Sequence, residues 1–138
     1  MAKNIALKVG DGGAIRKEGI ASEEILPGHR VVWGGANELV KAGAGVGRAA
    51  YAVENDLIGG SISDAYSEGD TVQYMVFQRG EELQALLADG ENVSVGDPLE
   101  EAADGTLVAQ DTGDVVAWAL EDFNNTTGAP ALVEVEVA

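Results

Sequence analysis

Residues 89–120 read DGENVSVGDPLEEAADGTLVAQDTGDVVAWAL, and this stretch shows how the chain is built. Short apolar runs alternate with turns in which glycine stands beside aspartate, as at Asp89-Gly90 and Asp104-Gly105. Such pairs favour the tight turns of β-hairpins, because glycine accepts the positive φ angles that these turns require. Short runs with turn signals roughly every 8–12 residues are typical of β-barrels and β-sandwiches. The stretch therefore predicts a mainly β fold.

Strands are also predicted outside this stretch, from alternating side chains. Thr71–Phe77 places Val72, Tyr74 and Val76 on one face, and Leu132–Val137 alternates valine with glutamate, which indicates one dry and one wet face. Taken together, these patterns predict a compact β-barrel or sandwich of short strands with Gly and Asp turns and at most one or two short helices.

Two segments leave their secondary structure open. Residues 37–42 could form one helical turn, capped by Asn37 and stopped by Gly43. In residues 81–88, Leu83, Leu86 and Leu87 have helical spacing, but a run of eight residues between two glycine turns also suits a strand, and we favour a strand or a bent turn. The Gly-Asp turns at 69–70 and 96–97 resemble each other, although this similarity is too weak to predict a repeat.

The first 25 residues differ in composition from the rest of the chain. They hold half of the Lys and Arg residues together with Gly10, Gly12, Gly13 and Gly19. Glycine-rich basic ends are often mobile. We therefore predict an extended arm over residues 1–25 and a single β-rich domain over residues 26–138.

Charge is distributed unevenly along the chain. The first 79 residues carry all eight Lys and Arg residues and ten Asp and Glu residues, whereas residues 80–138 carry fourteen acidic residues and no Lys, Arg or His. The net charges are thus −2 and −14. Binding to nucleic acid and to anionic membranes depends on Lys and Arg, so we expect neither partner. Abundant acid and alanine with only four lysines indicate a protein from a halophilic host.

Several kinds of chemistry are disfavoured by what the chain contains. It has no cysteine, and His29, its one histidine, stands beside Pro27-Gly28 and is interpreted as a turn or interface residue. A zinc site needs three or four ligands, which one histidine without cysteine does not supply. The glycines of residues 43–47 lack the spacing of a dinucleotide fingerprint and are interpreted as a flexible loop. We predict no catalytic residue, no cofactor and no metal site.

The order of several short motifs resembles a known class of viral proteins. The motifs are Ala52-Val-Glu-Asn, Gly60-Ser-Ile-Ser-Asp-Ala-Tyr66, Glu68-Gly-Asp-Thr-Val-Gln-Tyr, Leu86-Leu-Ala-Asp-Gly-Glu-Asn-Val, Gly96-Asp-Pro-Leu-Glu, Ala103-Asp-Gly-Thr-Leu and Val116-Ala-Trp-Ala-Leu-Glu-Asp. In this order and spacing, they resemble the capsid decoration, or cement, proteins of tailed viruses. The resemblance runs from about residue 15 to the end of the chain, and the acidic composition suits a haloarchaeal host.

This resemblance implies a structural role. Such proteins bind the outside of the expanded capsid shell and staple neighbouring major capsid proteins, usually as trimers at three-fold or quasi-three-fold positions. Expected partners are the major capsid protein, further copies of the chain, and possible turret or decoration proteins. Synthesis in the host cytoplasm is expected because the N-terminus lacks a signal peptide.

The residues expected to touch the capsid are the basic ones of the arm and of the first predicted strand. They are Lys3, Lys8, Arg16, Lys17 and Arg30. Two alternatives to decoration stay open at this point. One is another structural part of the virion, such as a turret base or a tail component. The other is a small β-barrel that binds a ligand, which would show a concave aromatic pocket.

Overall fold

The computed structural model describes residues 4–43 and 46–138, which form thirteen β-strands and one turn of 3-10 helix at Asp56–Ile58. In chain order the strands are β1 (Ala6–Lys8), β2 (Ile15–Ala21), β3 (Arg30–Gly35), β4 (Glu38–Lys41), β5 (Val46–Ala52), β6 (Thr71–Val76), β7 (Glu82–Leu87), β8 (Asn92–Val93), β9 (Pro98–Glu101), β10 (Leu107–Ala109), β11 (Ala117–Ala119), β12 (Phe123–Asn124) and β13 (Ala131–Val137). The prediction of a mainly β fold of short strands is confirmed.

The first five long strands close into a barrel. The hydrogen-bonded order is β2-β4-β3-β5-β6, and β6 pairs back with β2. All neighbours are antiparallel except β2 and β4, which run parallel. Closure leaves no strand edge free within the ring, which protects the sheet against pairing with other chains. The core of this first barrel consists of buried side chains from its strands and loops: Ala21, Ile25, Val31, Leu39, Ala50, Ala52, Tyr66, Val72 and Tyr74.

The second half of the chain forms another ring of five strands. Its order is β7-β10-β9-β11-β13, and β13 pairs with β7 over six residues. The parallel pair is β7 with β10, and the other neighbours are antiparallel. Strand β1 adds to the same sheet beside β7. Leucine, valine and alanine fill this second barrel, including the fully buried Leu83, Leu87, Leu99 and Leu107.

The two barrels have the same connectivity, so the chain contains an internal structural repeat. In each ring the first strand lies between the third and the fifth, and the first and third are the parallel pair. Individual hydrogen bonds also correspond. The Gly28 amide donates to the Ala52 carbonyl at 2.9 Å, and the Gly96 amide donates to the Ala119 carbonyl at 2.8 Å.

A four-residue corner precedes the second strand of each barrel. At residues 94–97, the Asp97 amide donates to the Ser94 carbonyl and the Ser94 amide donates to Asp97 Oδ2 at 2.8 Å. At residues 26–29, the Leu26 amide donates to His29 Nδ1 at 2.9 Å, so the imidazole takes the place of the carboxylate. The third residue is a glycine with positive φ in both corners, 98° at Gly28 and 89° at Gly96, where other side chains would be strained.

The same corner explains the similarity between the two Gly-Asp turns. The Ser67 amide donates to Asp70 Oδ2 at 2.8 Å, as the Ser94 amide does to Asp97. However, residues 67–70 precede the fifth strand of the first barrel, whereas residues 94–97 precede the second strand of the second barrel. The similar sequences therefore mark a common turn type, and the true counterpart of residues 94–97 is the corner at 26–29.

Polar and aromatic contacts join the barrels. Arg30 Nε lies 2.8 Å from Glu101 Oε1, and Arg30 Nη1 lies 3.2 Å from the Tyr51 hydroxyl. Tyr51 and Phe77 meet edge to face at 5.9 Å and pack in the core of the second barrel. Such a packed junction buries side chains of both barrels in one core.

The structure corrects two expectations about secondary structure and supports a third. The N-terminal segment is not an extended arm over its described part, because β1 pairs with β7 and β2 pairs with β6 across the first barrel. Buried Ile5 adds to this anchoring. Residues 38–41 form strand β4 rather than a helical turn, because Asn37 adopts a φ of 62° and turns the chain back beside β3. Of the strand or bent turn favoured for residues 81–88, the structure shows the strand, as β7 over Glu82–Leu87. Part of the predicted loop at 43–47 lies outside the described residues.

Candidate functional site

One end of the first barrel is open. A cleft of about 880 Å³ adjoins a second cavity of about 160 Å³, and both are lined by Lys17, Trp33, Leu39 and Tyr74. The smaller cavity extends to Val31 and Ala50, which belong to the barrel core. We call this opening the mouth of the first barrel.

Strand alternation places the lining residues there. Successive side chains of a strand point to opposite faces, so Ile15 and Lys17 share the face of β2 that holds buried Gly19. Lys17 pairs with Tyr74, and Trp33 pairs with Leu39. These pairs set four side chains around the same opening.

The hairpin beside Trp33 depends on small residues. A Cβ atom on Gly34 would lie 2.8 Å from Val40 Cγ1, closer than real contacts allow. The register between β3 and β4 shifts between Trp33 and Gly35, as in a β-bulge. Bulges re-aim neighbouring side chains, and here the irregular hairpin forms one wall of the mouth.

The mouth combines exposed apolar surface with positive charge. Ile15 is 55% exposed and Trp33 is 45% exposed. Among the described residues, the ion pairs are Lys8–Glu82, Arg16–Asp56, Arg30–Glu101 and Lys41–Glu23. Lys17 and Arg48, which both line the mouth, belong to none of these pairs. Glu18 also lines the cleft, and its Oε2 accepts a hydrogen bond from Gln73 Nε2 at 3.0 Å. The lining of the mouth thus holds two cations outside these ion pairs and one carboxylate.

The predicted contact residues are not gathered in one patch. Arg30 is largely buried between the barrels, where its guanidinium lies 5.3 Å from the centre of the Tyr51 ring. Arg16 is bonded to Asp56 Oδ1 at 2.8 Å and to the Glu54 carbonyl at 3.0 Å. Lys8 lies 3.7 Å from Glu82 on the second barrel.

Of the predicted contact residues, only Lys17 lines the mouth among those that the structure describes. Lys3 lies outside the described residues. Sequence reasoning missed Ile15, Trp33 and Arg48 as site residues. The signal that could have found Ile15 is its period-two alternation with Lys17, read as part of a strand instead of an arm.

Two pKa shifts concern the corner at residues 26–29 and the junction between the barrels. Burial, aided by the positive charge of Lys41, lowers the pKa of His29 to about 4, which agrees with an unprotonated Nδ1 accepting the Leu26 amide proton. Burial of Arg30 opposes its charge, but Tyr51 and Glu101 outweigh this and raise its pKa. His29 thus acts as a neutral turn acceptor and Arg30 as a fixed cation of the junction.

Neither a helix long and apolar enough to cross a membrane nor a group of three potential metal ligands occurs within residues 4–43 and 46–138.

Comparison with known proteins gives a similarity of fold. No protein-family model and no curated protein matches the chain. The fold is similar to the solved structure of the head fiber gp8.5 N base of bacteriophage phi29, with a TM-score of 0.59 and 19% sequence identity. The match covers 91% of this chain and 94% of the other. At this identity the finding is one of shared fold, and it spans both barrels.

Proposed function

We propose that this chain is a structural protein of a viral head, which binds the outside of the expanded capsid shell and staples neighbouring major capsid proteins. The observation that carries the proposal is the similarity of fold, over nearly the full length of both chains, to the base of a phage head fibre. The proposal further holds that the protein acts as a trimer at three-fold or quasi-three-fold positions.

The architecture suits a protein that works by holding others together. Two closed barrels share one junction, so the body is stiff and offers few free strand edges to unwanted partners. The second barrel carries a net charge of −14 with the residues around it, and such charge keeps a surface soluble. In this proposal the acidic half faces solvent or neighbouring copies, and the less acidic half approaches the shell.

A second candidate is favoured by the same similarity. The similar structure is the base of a head fibre, so in this second proposal the chain attaches a further virion protein to the capsid. Both candidates place the protein on the capsid exterior, and they differ in what its outer surface carries. A halophilic host remains a prediction from composition.

Co-sedimentation with expanded, protein-stripped capsids of the source virus tests the proposal. In molar salt, we expect saturable binding with a stoichiometry near one trimer for each three-fold position. Molar salt shortens the screening length to about 3 Å, so binding under this condition reports short-range contacts. A protein that is folded by circular dichroism and yet stays in the supernatant would overturn the proposal.

A further inference from the structure

We infer that the mouth of the first barrel binds the acidic outer face of the second barrel of another copy of this chain. The inference rests on the proposed homotrimer and names its two contact surfaces. Nothing in the fold of one copy fills the mouth among the described residues, where Ile15 and Trp33 remain about half exposed.

The mouth selects for an anionic partner that brings an apolar side chain. Its rim carries Lys17 and Arg48 without an ion pair, and its wall presents Ile15 and Trp33 to solvent. Removing apolar surface of this kind from water lowers the free energy of the complex. Charges at the rim steer a partner of opposite sign and reject one of like sign.

The second barrel offers a surface with the opposite properties. Trp118 is 39% exposed, and its cross-strand neighbours are Pro98 on one side and Glu136 on the other. Glu134 lies two residues before Glu136 on β13 and so shares its outward face, while Val133 and Val135 are buried. We call the surface of Pro98, Trp118, Glu134 and Glu136 the acidic face. It presents one aromatic anchor and two carboxylates, and the nearest cation that the ion pairs place beside it is Lys8, which lies 3.7 Å from Glu82, the cross-strand neighbour of Glu136.

The two surfaces match in charge and in the apolar side chains that each exposes. The mouth is a concave opening with cations at its rim, and the acidic face is the outer wall of a barrel with an exposed tryptophan. Within one chain Ile15 and Trp33 of the mouth and Trp118 of the acidic face are exposed, so neither surface covers the other. An arginine such as Arg48 can also stack on an aromatic ring of a partner, which adds a cation–π contact.

Two different surfaces that bind each other produce a head-to-tail contact. Such a heterologous contact, repeated by rotation, closes into a ring or continues as a filament. A ring of three copies would bury all three mouths and would leave none free. The contact between the mouth and the acidic face would thus account for the proposed trimer.

Charge reversal of each surface tests the inference on the full chain. The mouth variant is Lys17→Glu with Arg48→Glu, and the face variant is Glu134→Lys with Glu136→Lys. A control, Glu68→Lys with Asp111→Lys, makes the same change in net charge as the face variant at exposed positions outside both surfaces. Solution mass is measured by light scattering and sedimentation, and circular dichroism checks that each variant is folded.

We expect the wild type and the control to associate, and each of the two test variants to associate at least about tenfold more weakly. Mixing the two variants should restore association, because the intact acidic face of one meets the intact mouth of the other. A wild type that stays monomeric, variants that associate as the wild type does, or a mixture that fails to associate would each overturn the inference. Capsid binding is measured separately, so a monomer that still binds capsids would refute only this interface.

Discussion

The two barrels share their connectivity but differ at one end, and the difference shows what the protein keeps free. In the second barrel, Leu83 occupies the place that Lys17 has in the first, and it is fully buried. Ile5 from the N-terminal segment, together with Tyr51 and Phe77, packs in the same core as Leu83. The second barrel is thus covered by parts of the chain that precede it.

The first barrel has no such cover among the described residues. Its corresponding end is the mouth, where Ile15 and Trp33 remain exposed. The described part of the chain therefore covers the second barrel and leaves the mouth of the first uncovered, and the proposed neighbouring copy would cover it.

The largest difference in the free energy of unfolding should come from truncating an apolar side chain at corresponding ends of the two barrels. Leu83→Ala removes a fully buried leucine and should lower the free energy of unfolding by about 3 kcal/mol, because it leaves a cavity. Ile15→Ala at the exposed mouth should cost less than about 1 kcal/mol. Urea unfolding of the two variants measures both values. Equal losses would show that the mouth is packed as tightly as its counterpart.

The corners at 26–29 and 94–97 should respond differently to acid. Below the ordinary pKa of 6.5, the unfolded chain takes up a proton on His29 that the folded chain does not bind until about pH 4, so stability falls as pH drops through this window. This loss should reach about 3 kcal/mol at pH 4.

A matched substitution isolates this effect. His29→Asn keeps an oxygen acceptor for the Leu26 amide but does not titrate, so it should remove that part of the acid sensitivity. Thermal unfolding between pH 7 and pH 4 compares the variant with the wild type. Parallel pH profiles for the two proteins would exclude His29 as the acid-sensitive group.

Breaking the ion pair between the barrels should lower the free energy of unfolding by less than the two largest changes above. Arg30→Met leaves Glu101 and the Tyr51 hydroxyl without their cation in a largely buried site, at a cost of about 2 kcal/mol. Arg16→Met breaks a more exposed pair with Asp56 and should cost less than about 1 kcal/mol. Urea unfolding of the two variants measures both losses in the free energy of unfolding. A larger loss for Arg16 would locate the stabilising ion pair within the first barrel instead of at the junction.

Strand positions could be predicted where side chains alternate and turns are clear. Residues 71–76 and 131–137 are strands for the reason that their sequences indicate, a regular alternation of buried and exposed positions. Residues 38–41 were misread because Asn37 caps helices and also tolerates a positive φ, and only the pairing with β3 decides between these uses.

The repeat and the mouth were beyond the reach of the sequence alone. The corners that correspond read Leu-Pro-Gly-His and Ser-Val-Gly-Asp, and they share only a glycine followed by a hydrogen-bond acceptor. The mouth draws on strands that lie far apart in the chain, so Lys17, Trp33 and Arg48 are brought together only by barrel closure. Lys17 was predicted as a contact residue from its charge alone, and only the fold shows that it lines a cleft beside Trp33.

The pairing of β1 with β7 has a consequence for the order in which the protein forms during translation. Residues 15–76 contain every strand of the first barrel, so this ring can close before the second half has left the ribosome. Strand β1 must wait, because its partner lies about 75 residues later in the chain. Strand β1, although it precedes the first barrel in the chain, is thus fixed only after β7 has been synthesised.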